Sequence, residues 1–197
     1  MGSRPVASPP TAPFEPRVRE FVELVCEHRE LHQRDWRNAG FRALLAYRLG
    51  RLRHALHPRW TIKPVTVLSL LLQRRAQGRF GIELFDTARI GRRVRIIHQS
   101  GIVIHGYATV GDGCWIRNNV AIGSRNDWSR EDVATIGRSV RIGSGAIVGR
   151  ELTIGDGARI GPNAVVLEDV AEGVTVLPPK SEIRERRASR DGPGAGR

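Results

Sequence analysis

Two histidines, His98 and His105, stand seven residues apart in RVRIIHQSGIVIHG (residues 93–106), a run otherwise rich in isoleucine and valine. Titratable side chains are unexpected in so apolar a segment. A neutral imidazole near pH 7 can take the proton of a hydroxyl as that oxygen attacks, worth roughly 10²–10⁴-fold in rate. The bland alternative is a corner histidine hydrogen-bonded to backbone. The two cysteines, Cys26 and Cys114, have no metal-ligand spacing and read as free thiols of a reducing cytoplasm, so no metal site is expected.

The histidines lie within a strict period of six. Leu84, Ile90, Ile96 and Ile102 form one series, followed by Val110, Ile116 and Ile122, then Ile136, Ile142, Val148, Ile154, Ile160 and Val166. Such a period fits neither an amphipathic helix nor a hairpin ladder. It fits a parallel β-helix of hexapeptides, in which each short strand donates one inward side chain and then turns a corner. The pattern is that of the left-handed version, so the fold is mainly β. The step of eight between Ile102 and Val110 places two extra residues near His105–Tyr107. The step of fourteen after Ile122 implies an extruded loop at 124–135, a natural place for substrate contacts.

Ahead of the period, PRVREFVELVCEHRELHQ, GFRALLAYRLGRLRHAL and VTVLSLLLQRRA show helical spacing, with breaks at Asn38–Gly40, His57–Trp60 and Gly78. Helices there would cap the open end of the first coil and cover its unpaired strand edges. The expected organisation is a disordered lead-in at 1–16, a helical region at 17–80, a β-helix at 81–177 and a tail at 178–197. The lead-in has no apolar core of a secretion signal, and no apolar run is long enough to span a membrane. The third helical segment is expected to pack on the solenoid rather than on a lipid surface. The net charge of +12 divides as +9 before residue 81, zero over 81–177 and +3 beyond. Basic flanks around a neutral middle argue against nucleic-acid binding.

The segments GFRALLAYRLG, GIELFDTARIG, HQSGIVIHGYATVGD, NNVAIG and TIGRSVRIGSGAIVG occur in the order seen in bacterial serine O-acetyltransferases. The resemblance covers roughly residues 39–180 and implies a homotrimer with acetyl-CoA, a co-substrate and not a permanent cofactor, bound between subunits. It implies that His98 is the general base and that Glu83, fifteen residues earlier, is its acidic support, fixing the ring and stabilising the imidazolium. For coenzyme A it points to Gly123, Ser124, Ser144, Gly145 and Gly161, with Lys180 and Arg184 as phosphate donors. His105, matching shorter relatives, stands at a subunit junction, against substrate, or in a structural role.

Three departures concern the acceptor. The family's aspartate before the histidine is Ile97 here, its loop Arg-His pair is Asp132 and Val133, and its long N-terminal helical domain is abbreviated. Asp35 could replace an acidic serine contact, and Arg125 or Arg130 a carboxylate contact. The chain ends GPGAGR, without the isoleucine that docks on cysteine synthase, so that partner is not expected. The leading expectation is O-acetylation of L-serine for cysteine synthesis. The alternatives are a sugar or other small hydroxyl as acceptor, or a non-catalytic solenoid module.

Overall fold

The computed structural model describes residues 18–53, 59–124, 133–180 and 182. The expected lead-in, most of the insert (with Arg125 and Arg130) and Arg184 lie outside the described residues. Three helices come first: α1 (Val18–Leu31), α2 (Ala39–Arg53) and α3 (Arg59–Phe80). α3 does not break at Gly78. It continues to Phe80, where Gly81 turns the chain at φ 63°.

Fourteen two-residue strands then wind a parallel β-solenoid with three faces. The first face holds β1 (Glu83–Leu84), β4 (Val103–Ile104), β7 (Ala121–Ile122), β10 (Ile147–Val148) and β13 (Val165–Val166). The second holds β2 (Arg89–Ile90), β5 (Thr109–Val110), β8 (Thr135–Ile136) and β11 (Thr153–Ile154). The third holds β3 (Arg95–Ile96), β6 (Trp115–Ile116), β9 (Arg141–Ile142), β12 (Arg159–Ile160) and β14 (Thr175–Val176). Neighbouring strands come from successive coils, ~4.8 Å apart. The second residue of each strand points inward and is buried, except at β14, where Val176 is half-buried. Each fully buried Ile or Val contributes roughly 1.5–3 kcal/mol.

Twelve of the thirteen periodic aliphatic residues are these inward strand residues; the exception is Ile102. On β4 the inward strand residue is Ile104, which registers with Leu84 below and Ile122 above. Ile102 is also buried, but two residues earlier, at the level of Ile82 and Val120. The two extra residues therefore lie before β4 and not near His105–Tyr107.

Because the register is regular, each face has one outward residue per coil. The first face shows Val103, Ala121, Ile147 and Val165 above Glu83 and is apolar. The second shows Arg89, Thr109, Thr135 and Thr153. The third shows Arg95, Trp115, Arg141, Arg159 and Thr175, with the Arg95 and Arg141 guanidinium carbons 5.5 and 4.7 Å from the Trp115 ring centre.

The helices close the first coil by meeting its backbone groups. The Tyr47 hydroxyl donates to Ala88 O (2.9 Å) and accepts from Ile90 N–H (3.0 Å). Buried Arg48 donates to the carbonyls of Ile90 (2.9 Å) and Gly91. His32 Nε2 accepts Ile96 N–H (3.2 Å) while its Nδ1–H donates to His28 O (2.7 Å). α3 takes less part than its composition suggests. It presents buried Ser69 and Ala76 inward and leaves Val67, Leu68, Leu70 and Leu71 exposed, because only small residues allow its close approach to α2.

His28 and His32 are both buried, and Arg48 Nε donates to His28 Nε2 (3.3 Å). Burial, then the Arg48 charge, pushes His28 down to about 3, and burial also lowers His32. A folded pKa below the unfolded value means that the unfolded chain binds the proton first. The stabilisation is whole above about pH 6.5 and is lost as pH falls toward 3. At about pH 5 the loss from His28 alone is about 2 kcal/mol, and His32 adds in the same direction. Urea midpoints at about pH 7.5 and 5 will show it; equal midpoints would contradict a buried neutral pair.

Candidate functional site

The first coil has an enlarged corner, and His98 is on it. Ile96 pairs with Ile116, twenty residues on, whereas Ile142 pairs with Ile160, eighteen residues on. Ile97 N–H bonds Ile116 O as Arg117 N–H bonds Ile142 O, and Ser100 O accepts Asn119 N–H as Asn118 O accepts Gly145 N–H. Residues on both sides of the excess keep register, so the inserted pair is His98–Gln99. The first coil bulges there, at the edge between the third and first faces.

Backbone conformation marks the same place. Left-handed residues recur in two columns, Gly81, Gly101, Asn119, Gly145 and Asn163 at one edge and Arg93, Gly113, Ser139, Gly157 and Gly173 at another. His98, at φ 55°, belongs to neither. Its carbonyl accepts Ser100 N–H at 2.8 Å, closing a tight turn. A non-glycine residue held in this region costs free energy and persists only where its surroundings impose it.

Those surroundings are the helices. Gln99 Oε1 accepts the N–H of Ala39 at 2.7 Å, in the first turn of α2, while Asn38 Oδ1 accepts Phe41 N–H at 3.0 Å. Together they satisfy two of the free donors at the α2 N-terminus. Gly40 lies against β3 so closely that a Cβ would stand 2.8 Å from Ile96 Cβ. His32, Gly40 and Gln99 thus fix residues 96–99 from below, and His98 itself is exposed. Gln99 was not singled out by sequence, although the two-residue excess was the signal for it.

The other candidates fall into groups. Ser144–Gly145 and Gly161 share the edge of His98, two and three coils above it, or ~10 and ~14 Å. A side chain at Gly145, φ 72°, would collide with Asn163 Oδ1, which lies over it. Gly123, Ser124 and His105 lie at the next edge, between the first and second faces. A Cβ on Gly123 would meet nothing, and Ser124 bridges Val133 across the base of the insert. His105 Nδ1 accepts Tyr107 N–H (3.3 Å), which makes Nε2 its protonated nitrogen when neutral.

Glu83 stands at the foot of the first face. It lines a 150 Å³ cleft with Gln73, Gln77 and Asp86, and no hydrogen bond joins its carboxylate to His98. Asp35 Oδ1 accepts Arg37 N–H (2.8 Å) in the exposed turn between α1 and α2. Lys180 is exposed beyond β14. Cys26 and Cys114 are free thiols, and burial pushes Cys114, which donates to Gly137 O, up to about 11. Among the described residues no acidic, histidine or cysteine cluster could hold a metal, and no helix is long and apolar enough to cross a membrane.

An exposed imidazole on an edge where small residues recur could take a proton from a hydroxyl while a long, narrow substrate lies along the coils. Known proteins share the fold and much of the sequence. Residues 134–168 match the bacterial transferase hexapeptide (six repeats). A serine acetyltransferase of Helicobacter pylori is 37% identical over 143 residues, covering 73% of this chain and 80% of that one. Serine acetyltransferase 1 of Arabidopsis thaliana chloroplasts is 33% identical over 138 residues, covering 70% of this chain and 43% of that one. The solved soybean serine acetyltransferase complexed with serine superposes with a TM-score of 0.62 at 28% identity, over 79% of this chain and 65% of that one. With identity of this extent, the chain belongs to the serine acetyltransferase family.

Proposed function

We propose that this chain transfers the acetyl group of acetyl-CoA to the hydroxyl of L-serine, giving O-acetyl-L-serine for cysteine synthesis in the cytoplasm. The observation that carries this reading is His98, held in a left-handed conformation on the enlarged corner of the first coil, below an edge where Ser144, Gly145 and Gly161 recur. His98 accepts the proton of the acceptor hydroxyl as its oxygen attacks the thioester carbonyl carbon. The C–S bond then breaks, and the imidazolium returns the proton to the leaving thiolate. Glu83 supports the imidazolium once substrate closes the site. Ser144, Gly145 and Gly161 let the pantetheine arm lie close, with Gly123, Ser124 and Lys180 completing the donor site across a neighbouring subunit. We read the assembly as a homotrimer, in which these two groups, on different edges of one chain, meet those of neighbouring copies. The apolar first face, with Ile147 and Val165 exposed, suits the contact between copies.

Free-thiol release from acetyl-CoA, with L-serine against a panel of sugars and alcohols, tests the reading. Release with serine supports it, and release with sugars alone would overturn it. The sugar reading has one observation in its favour: half-buried Ile97 puts no charge beside His98 to hold an ammonium group.

The corner geometry also predicts how Gln99 behaves. Gln99→Ala should lower kcat about tenfold with little change in KM, because the bulge loses its tie to α2 and the base loses orientation. Gln99→Glu, which keeps an acceptor oxygen facing a helix N-terminus, should recover most of the rate. Equal losses in both variants would mean that the Ala39 contact does not set the corner.

A further inference from the structure

The solenoid is neutral in sum but not in arrangement. Residues 81–177 carry 11 basic and 11 acidic side chains. The outward row of the third face nevertheless reads Arg95, Trp115, Arg141 and Arg159, with no acid in it, and exposed Arg117 follows on the same coil as Trp115. Acidic groups of the same stretch are engaged elsewhere. Asp112 and Asp156 accept the backbone N–H groups of Arg92 and Arg138, Asp169 that of Thr153, and Asp86 pairs with Arg53. Among the described residues no carboxylate pairs with Arg95, Arg141 or Arg159. Trp115 braces two of the three guanidinium groups.

This face runs directly into the edge that carries His98. Arg141 precedes Ser144 by three residues on the third coil, and Arg159 precedes Gly161 by two on the fourth. A thioester at His98 whose pantetheine arm lies up this edge carries its phosphates toward the level of those two arginines. We propose that the arginine row of the third face, Arg141 and Arg159 above all, binds the phosphates of acetyl-CoA and draws the donor into the edge of His98. The inference rests on the reading of acetyl-CoA as donor and of His98 as base. A planar guanidinium pairs with two phosphate oxygens at once, and a row of them over low-dielectric protein concentrates an anion before contact. A nucleic acid suits this face less, because the one aromatic ring on it is already covered by guanidinium groups.

The test compares two acyl donors on the full chain: acetyl-CoA, and S-acetylpantetheine, which has the same arm and thioester but no phosphate. Arg141→Glu/Arg159→Glu should raise KM for acetyl-CoA roughly 10- to 100-fold, leave kcat at saturation unchanged and leave S-acetylpantetheine turnover unaffected. Rising salt should raise the wild-type KM for acetyl-CoA and not that for S-acetylpantetheine. A charge-matched control on exposed helix positions, Arg19→Glu/Arg74→Glu, should alter neither. Equal loss with both donors, or equal loss in the control, would show an effect of structure or overall charge and overturn the proposal. No change with either donor would also overturn it. If His98→Ala is inactive while the arginine variants behave as wild type, only the phosphate assignment falls. If the wild type neither consumes nor binds acetyl-CoA, the donor reading falls and this inference with it.

Discussion

Replacing His98 with alanine is expected to lower turnover by roughly 10²–10⁴-fold while leaving the protein folded and KM for acetyl-CoA little changed. The side chain is exposed and fills no core space, so its removal opens no cavity. Its backbone is left-handed, which alanine tolerates less well than asparagine. His98→Asn therefore serves as a companion variant: it keeps the conformation and removes the base. Both variants should be inactive, and both should melt close to the wild type. If His98→Asn keeps most of its activity, proton transfer by this residue is excluded. A retained solenoid with no turnover in any variant or in the wild type would favour the assembly-module alternative.

The largest expected effect on stability belongs to Arg48. Replacing it with methionine should cost about 3 kcal/mol, lowering the melting temperature by about 6–12 °C for a chain of this size. Two effects oppose each other. Removing a buried charge relieves its desolvation, and apolar replacements of buried ion pairs can be neutral or stabilising. Arg48 is different, because its partners are fixed acceptors that stay behind: Ile90 O, Gly91 O and His28 Nε2. Each buried acceptor left without a donor costs roughly 1–3 kcal/mol, so the loss outweighs the relief. Methionine keeps the stem volume and isolates the hydrogen-bond contribution. An unchanged or raised melting temperature would mean that the cap is held by apolar packing alone.

The period of six made the solenoid legible because every coil must put one aliphatic residue in the same place. Its failure at Ile102 is instructive. Ile102 and Ile104 are both buried and both isoleucine, so composition cannot say which is the strand's inward residue. Only the pairing of Ile104 with Leu84 and Ile122 decides it, and that moves the extra residues from His105 to His98. His98 was readable as a candidate, while the support for it was not. Gln99 and His32 act through contacts 60 and 64 residues away in sequence. The arginine row was hidden for a related reason. Its members are at most one per coil and lie 46 and 18 residues apart in sequence, and a count along the chain sums them with the acidic residues of the same stretch to zero. A repeat with a known period should be read by face as well as by segment.

The cap lies at the N-terminal end of the stack, and each coil rests on the one before it. During synthesis the helices therefore leave the ribosome before the coil they close, and each later coil meets a finished template as it emerges. Assembly can run in step with translation, one turn at a time, without waiting for distant sequence. Nascent chains halted after Ile122 should already protect α1 and α2 from proteolysis, whereas chains halted before Ile90 should not.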